Sequence, residues 1–221
     1  AEVLDALTKD GVTLLPYDSI YEYVKTFEKD MTVLLCKQKA NSRLVSNIPT
    51  EVKILDEENL TLLPKAIKNP VEVENERIAH IKDGVALTKF IYWLKKNVGK
   101  IPITELSAEE KLYSFRAQQE NFIDNSFDPI ISYGKHAAIV HYFATPETDI
   151  PIEPRSFVLA DTGGNYYEGT TDTTRTIVMG SVTDEEKKFF TAVLRGMLNL
   201  GNAKFRYGCT GANLDCLARV P

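Results

Sequence analysis

The chain has 221 residues, which is enough for one large domain or for parts of two. Its 26 Lys and Arg side chains against 31 Asp and Glu give a formal net charge of −5, so broad nucleic-acid binding is not expected. The three cysteines, Cys36, Cys209 and Cys216, lack CxxC spacing, which argues against a disulfide scaffold and a zinc ribbon and favours a reducing compartment. We therefore expect a partner that is small or peptidic.

The ends and the hydropathy of the chain predict its location. It has no charged and then apolar leader, and no apolar run near the roughly 18 residues that a membrane span needs. These patterns predict a cytoplasmic protein without a signal peptide or membrane span. Because the sequence starts at Ala1 rather than methionine and stops at Pro221, we also expect it to be an internal piece of a longer protein.

The first third of the sequence predicts an α/β arrangement. Short β-prone runs at residues 12–15, 31–36 and 52–55 alternate with helical stretches such as residues 19–27. Asn69 then precedes Pro70, and a residue before proline avoids the helical conformation. We therefore divide the chain into residues 1–68 and residues 69–221.

Three helices are predicted in the second part. Residues 74–96 have apolar side chains at near-helical spacing, which predicts a long amphipathic helix. The side chains assigned to its buried face are Ile78, Ile81, Val85, Trp93 and Leu94. Capping boxes, in which a hydroxyl binds the third amide and a glutamate reaches back, predict one helix from Ser107 to residue 121 and another starting at Thr183.

Extended segments separate these last two helices. Residues 137–142, 156–160 and 174–179 are rich in residues that favour strands. Since helices precede and follow a largely antiparallel sheet, the predicted fold class of this part is α+β.

Two carboxylates, Asp161 and Asp172, stand eleven residues apart across a glycine turn. At about 4 Å, two such charges repel by roughly 4 kcal/mol at an effective dielectric of about 20, so a close pair needs an offsetting charge such as a divalent cation. The alternative is ordinary turn chemistry, because aspartate beside threonine and glycine is common at hairpin ends. An EF-hand is rejected, since its sixth position would be Tyr166 rather than glycine.

The neighbours of Asp172 favour the metal interpretation. Hydroxyls and a guanidinium could orient its oxygens from outside the coordination shell, with Thr171 and Arg175 as the selected candidates. The full set of such neighbours is Thr170, Thr171, Thr173, Thr174 and Arg175. Aspartate oxygens are hard ligands, so manganese, magnesium, cobalt or zinc suit the site better than copper(I).

Four segments carry a family resemblance. They are residues 76–84 (ERIAHIKDG), 126–134 (SFDPIISYG), 138–142 (AIVHY) and 161–176 (DTGGNYYEGTTDTTRT). Together they resemble the Xaa-Pro aminopeptidases, also called aminopeptidase P, of the pita-bread metallopeptidase superfamily. The last segment is the specific one. The resemblance implies that residues 69–221 are the first half of a pita-bread catalytic domain, and that residues 1–68 are the C-terminal remainder of the α/β middle domain of the long, three-domain form.

The resemblance also implies a site with two divalent metal ions, usually manganese, with zinc or cobalt as alternatives. Its ligands in the family are two aspartates, one histidine and two glutamates. Asp161 matches the aspartate that chelates one metal, and Asp172 matches the aspartate that bridges both. The histidine and the glutamates would lie beyond Pro221, so we expect the 221 residues alone to be inactive.

Two histidines receive different predictions. A histidine beside tyrosine on a strand is ordinarily a half-exposed strand residue, but His141 matches the family histidine that binds substrate near the scissile bond, and its spacing to Asp161 fits the family. We therefore predict a catalytic role for His141. His136 lies in a loop where the family often has asparagine, and we interpret it as structural.

The resemblance implies hydrolysis of the bond between an N-terminal residue and a penultimate proline. The expected partners are peptides with proline in second position and a second copy of the protein in a homodimer, with no nucleic acid and no membrane. Two alternatives stay open: a prolidase, which cuts Xaa-Pro dipeptides, and a non-catalytic pita-bread module that binds peptides or proteins.

Overall fold

The structure, a computed structural model, describes residues 2–221 and divides into two units between Asn69 and Pro70. In the first unit, strands β1 (Thr32–Leu35) and β2 (Lys53–Asp56) pair in parallel. The helices of this unit are α1 (Glu2–Lys9), α2 (Ile20–Tyr23), α3 (Ser42–Ser46) and α4 (Leu62–Ala66). Its small core is formed by Val24, Ile48 and Val52.

Two of the three strands predicted in the first unit are confirmed, and the third is wrong. Residues 12–15 form no regular element, and the side chains of Val12, Leu14 and Leu15 are exposed. Strand preference expresses packing against a neighbouring strand and a covered face, and this run pairs with neither β1 nor β2.

The second unit contains two antiparallel sheets. Its strands are β3 (Phe122–Asn125), β4 (Ile130–Tyr133), β5 (Phe157–Thr162), β6 (Gly164–Tyr166) and β7 (Thr173–Val178). The larger sheet has the order β4-β5-β7, and β3 pairs with β6. The predicted strands at residues 156–160 and 174–179 are thereby confirmed, as is the α+β class.

Helices α5 (Pro70–Asn97) and α6 (Glu105–Arg116) supply the core with the larger sheet. Along β5 buried and half-buried side chains alternate, so that Val158, Ala160 and Thr162 are buried. Proline is suited to the first position of α5 because the missing amide hydrogen has no helical partner there. Among residues 2–221, no helix is long and apolar enough to cross a membrane.

Helix α5 includes the predicted residues 74–96 but begins four residues earlier, and the predicted buried face is wrong in part. Ile81 and Val85 are exposed, at 68% and 44% of their surface. The buried stripe consists of Ala79, Asp83, Ala86, Leu87, Phe90 and Leu94. An aspartate occupies a core position in this stripe, and periodicity of apolar residues does not predict that.

The N-cap of α6 is Thr104, three residues before the predicted cap, Ser107. The Thr104 side chain accepts from the Ser107 amide, and the Ser107 hydroxyl accepts from the Thr104 amide. Ser107 is therefore the third residue of the helix rather than its cap, and α6 ends at Arg116 rather than at residue 121. The box at Thr183 and Glu186 is confirmed and starts α7 (Asp184–Gly201), which is followed by α8 (Gly211–Arg219).

The strand predicted at residues 137–142 is wrong. A 3-10 helix, Gly134–Ala138, follows β4 directly, and residues 139–142 form a turn closed by a bond from the Tyr142 amide to the Ile139 carbonyl. The His136 and Tyr142 side chains of this segment bind the buried carboxylate of Glu105. These polar contacts override the strand preference of the sequence.

A buried guanidinium connects α6 to its neighbours. Arg116 is fully buried, and its Nε donates to Asp83 Oδ1 at 2.7 Å. Its terminal nitrogens donate to Asp83 Oδ2, Thr162 Oγ1 and Asn125 Oδ1 at 3.3, 2.9 and 3.4 Å. The Tyr166 hydroxyl donates to Asp83 at 3.1 Å, and burial together with this carboxylate raises the pKa of Tyr166. One ion pair thus joins α5, α6 and strands of both sheets.

We predict that Arg116→Met lowers the free energy of unfolding by about 3–5 kcal/mol, because it leaves the Asp83 carboxylate buried without its cation. Arg77→Met is the matched control, since Arg77 forms an exposed ion pair with Glu74 on α5 and such pairs contribute at most about 1 kcal/mol. Denaturant unfolding measures both losses. Equal losses in the two variants would contradict the importance of the buried pair.

Glu109, one turn after Glu105, is partly buried between α6 and β4. Its Oε1 atom is buried without a hydrogen-bond partner among residues 2–221. Burial, opposed by a backbone hydrogen bond from Ile131 and reinforced by the carboxylates of Glu105, Asp149 and Asp128, raises the pKa of Glu109 to about 7. The folded state therefore binds more protons than the unfolded state between pH 4.5 and about 7.

Stability should fall as the pH rises through this window. We predict that Glu109→Gln removes the dependence, so that the variant gains about 1–2 kcal/mol over the unmodified protein above pH 7, after allowance for partial solvent screening. The gain should vanish below pH 4.5. Denaturant unfolding at both ends of the window measures it, with exposed Glu110→Gln as the control. A gain that does not change with pH would disprove this explanation.

Candidate metal centre

The antiparallel pairing of β5 with β7 places Asp161 and Asp172 on the same face of the sheet. Asp161 pairs with Thr174, and Thr162 pairs with Thr173. Residues two apart on a strand share a face, so Asp172, just before β7, lies on the face of Thr174 and diagonal to Asp161. Such diagonal positions are about 7–8 Å apart, within reach of long side chains. The opposite face, with Thr162, is buried against the helices.

The turn between the two aspartates is closed by hydrogen bonds between Thr171 and Gly164, and Gly163 packs closely against Thr171. The Thr171 amide donates to the Gly164 carbonyl, and the Gly164 amide donates to the Thr171 hydroxyl, both at 2.9 Å. A Cβ atom on Gly163 would lie 1.9 Å from the Thr171 carbonyl oxygen, so only glycine allows this approach. Ser126 also donates to that carbonyl, at 2.8 Å. These contacts return the chain so that Asp172 lies beside Asp161.

The neighbours of the two carboxylates differ in their contacts. Thr174 donates to Asp161 Oδ1 at 2.7 Å. Thr171 is buried in the turn, and its hydroxyl binds the backbone of Gly164. Arg175 is exposed, and its guanidinium binds the Thr174 carbonyl. The orienting hydroxyl for Asp161 is therefore on Thr174, while supporting roles for Thr171 and Arg175 stay predictions.

His141 lies in the same cleft as both aspartates. The cleft has a volume of about 480 Å³ and is lined by Phe127, Asp128, Ile130, His141, Phe143, Asp161 and Asp172. His141 is exposed and has a left-handed backbone, with φ of 57°, a conformation that is uncommon outside glycine. The structure thus brings together the three residues that the sequence selected for catalysis and metal binding.

The cleft also contains residues that the sequence analysis did not select. Asp128 adds a third carboxylate, and Phe127, Phe143 and Ile130 provide apolar walls. Pairing of Ile130 with Asp161 across β4 and β5 brings this segment to the site. The signal in the sequence was the segment at residues 126–134, which contributed to the resemblance but was not assigned a role.

The donor set fits half of a metal centre. Two neighbouring aspartates, one of them held by a hydroxyl, offer the hard oxygen ligands that manganese, magnesium, cobalt or zinc accept. In the part of the chain that the structure describes, residues 2–221, no group of three or more His, Cys, Asp or Glu side chains is arranged to hold a metal ion. Further ligands are needed to complete such a site.

The chain is similar to known proteins over almost all of its length. Residues 1–72 match the creatinase/prolidase N-terminal domain, and residues 74–220 match metallopeptidase family M24. A protein of Coccidioides posadasii named "Probable Xaa-Pro aminopeptidase P" is 37% identical over 95% of this chain, and one of the same name from Paracoccidioides brasiliensis is 38% identical. The chain spans only 36% of the length of each.

Solved structures agree with these matches. An X-prolyl aminopeptidase from Caenorhabditis elegans, described as a cytosolic enzyme with a di-nuclear active site, matches with a TM-score of 0.88 and 30% identity. The match covers 99% of this chain and 37% of that one. The prolidase from Pyrococcus furiosus matches with a TM-score of 0.70 and 25% identity, over 94% of this chain and 58% of that one.

These matches confirm the expected fold, in which part of an N-terminal α/β domain precedes the start of a pita-bread domain. The match to one family covers more than half of the residues. The chain therefore belongs to metallopeptidase family M24.

Proposed function

We propose that the full-length protein is a metal-dependent aminopeptidase that hydrolyses the bond between an N-terminal residue and a penultimate proline. The observation that carries this proposal is the cleft that Asp161, Asp172 and His141 line together. Membership of family M24 and the names of the relatives from Coccidioides and Caenorhabditis support it. Because the chain spans about a third of these relatives, the activity is proposed for the whole protein.

The proposed metal ligands in this chain are Asp161, as chelator of one ion, and Asp172, as bridge between two. Two bound divalent ions, for which we propose manganese with zinc or cobalt as alternatives, would supply an activated water and polarise the substrate carbonyl. Thr174 donates to one oxygen of Asp161, and both carboxylate oxygens retain lone pairs for an ion. A histidine and two glutamates from the rest of the protein are proposed to complete the site.

His141 is proposed to bind the substrate beside the scissile bond. Its imidazole lies in the cleft with the carboxylates, and a ring nitrogen can donate to a carbonyl oxygen that becomes negatively charged during attack. Its exposure leaves it accessible to a peptide. The apolar side chains of Phe127, Ile130 and Phe143 line the same cleft.

The proposed substrates are peptides with proline in second position. Proline lacks an amide hydrogen and has a fixed φ, so an enzyme for this bond recognises the ring rather than a backbone donor. The apolar wall of the cleft offers a surface for such a ring. In the same proposal, residues 1–68 belong to a middle domain and residues 69–221 to the catalytic domain of a cytoplasmic homodimer.

A prolidase is the second candidate, supported by the similarity to the Pyrococcus furiosus enzyme. A prolidase would cut Xaa-Pro dipeptides only, whereas an aminopeptidase P also releases the first residue from tripeptides and longer chains. A non-catalytic binding module is the third candidate. It has no need for two neighbouring carboxylates, and a full-length protein without the remaining ligands would favour it.

We predict that the full-length protein with Mn²⁺ releases the N-terminal residue from an Xaa-Pro tripeptide. Asp172→Asn should lower kcat/KM by at least about 100-fold, which is the upper end of the loss when only a supporting residue of a metal site is removed. Asp184→Asn is the matched control, since Asp184 is an exposed carboxylate in the first turn of α7. Cleavage of the dipeptide alone would instead indicate a prolidase.

We predict that Thr174→Val weakens metal binding by about 10–100-fold, because it removes the hydroxyl that orients Asp161. Thr176→Val is the control, since Thr176 is two residues further along the same face of β7 and pairs with Leu159. Calorimetric titration of the metal-free full-length protein with Mn²⁺ measures both affinities. Equal affinities in the two variants would show that Thr174 does not support the metal.

A further inference from the structure

Glu105 lies at the first position of α6 and is fully buried. Its Oε1 atom accepts from the Tyr133 amide of β4 at 2.7 Å. Its Oε2 atom is 3.0 Å from His136 Nδ1 and 3.2 Å from the Tyr142 hydroxyl. A carboxylate accepts several hydrogen bonds, and the N-terminus of a helix favours its negative charge. One buried carboxylate thus holds a strand and two side chains of the following turn.

The two side chains also contact each other. The rings of His136 and Tyr142 lie with centroids 4.4 Å apart and an interplanar angle of 35°. Since a carboxylate only accepts, His136 donates from Nδ1. We call Glu105, His136 and Tyr142 the Glu105 cluster. The Thr148 side chain, 3.1 Å from the Tyr142 hydroxyl, holds the same group from the other side.

The Glu105 cluster holds the residues on both sides of the turn that carries His141. The Ile139 amide donates to the His136 carbonyl, and the Tyr142 amide donates to the Ile139 carbonyl. His141, which precedes Tyr142, has the left-handed φ of 57°. A non-glycine residue in this conformation is strained and persists only where its surroundings fix it. Since His141 itself is exposed, its backbone is fixed through His136 and Tyr142, which Glu105 binds.

We infer that Glu105 is a positioning residue for His141: by binding His136 and Tyr142, it fixes the turn that presents the His141 imidazole to the two aspartates. The inference rests on the proposed function, in which His141 contacts substrate. The same carboxylate holds the Tyr133 amide of β4, and β4 pairs with the strand of Asp161. Glu105 therefore sets the position of His141 relative to the strand that carries a metal ligand.

If Glu105 were purely structural, removing its hydrogen bonds would lower stability without a specific effect on His141. The structure offers a matched pair of variants to separate the two roles. Tyr142→Phe removes a hydroxyl that donates to the carboxylate of Glu105. Tyr166→Phe removes a hydroxyl that donates to the buried carboxylate of Asp83, and Tyr166 does not line the cleft. The chemical change is the same in both.

In the full-length protein with Mn²⁺, Tyr142→Phe should lower kcat on an Xaa-Pro tripeptide about tenfold, the scale of one lost hydrogen bond to a charged acceptor. Tyr166→Phe should leave kcat unchanged. In a His141→Ala background, Tyr142→Phe should have no further effect, because its influence acts through His141. A loss of kcat that persists in this background, or no loss in the unmodified one, would overturn the inference.

Hydrogen exchange measured by mass spectrometry supplies a test that does not require activity. Tyr142→Phe should speed exchange of the amides of residues 136–143 severalfold, and Tyr166→Phe should not. Unchanged exchange in Tyr142→Phe would also overturn the inference. A wild-type protein that cleaves no Xaa-Pro peptide would disprove the proposed function instead, and the exchange experiment would still show whether Glu105 fixes the turn.

Discussion

The second unit depends on one buried ion pair, that of Arg116 with Asp83. Removing a guanidinium from water costs free energy that good hydrogen bonds must offset, and here its nitrogens donate to Asp83, Thr162 and Asn125. Thr162 follows Asp161 directly in β5. The pair therefore binds the buried face of the strand whose other face carries a candidate metal ligand, and so it connects the site to the core.

Much of this fold follows from local patterns in the sequence. The capping box at Thr183 starts a helix as expected, because both partners lie within four residues of each other. Where distant residues decide, the patterns mislead. Asp83 lies in the buried stripe of α5 because of Arg116, 33 residues away, and residues 137–142 leave the strand conformation because Glu105, more than 30 residues upstream, binds His136 and Tyr142.

The candidate site was likewise predictable where it depends on neighbouring residues and not where it depends on distant ones. The motif around Asp161 and Asp172 identified both carboxylates, since the resemblance resides in contiguous residues, and the cleft brings them together with His141. The hydroxyl that binds Asp161 could not be chosen among the four neighbouring threonines, which the sequence pattern related to Asp172 instead. That choice requires the register of β5 against β7, which pairs Asp161 with Thr174. Asp128 was missed for a similar reason, because its approach depends on the position of β4.

The close packing of Gly163 limits which substitutions the segment between β5 and β7 tolerates. Any side chain there would meet the Thr171 carbonyl and the Ser126 hydroxyl, and Thr171 immediately precedes Asp172. The backbone could yield only by moving the turn, and Asp172 would move with it. The steric constraint on Gly163 therefore also constrains the separation of the two carboxylates.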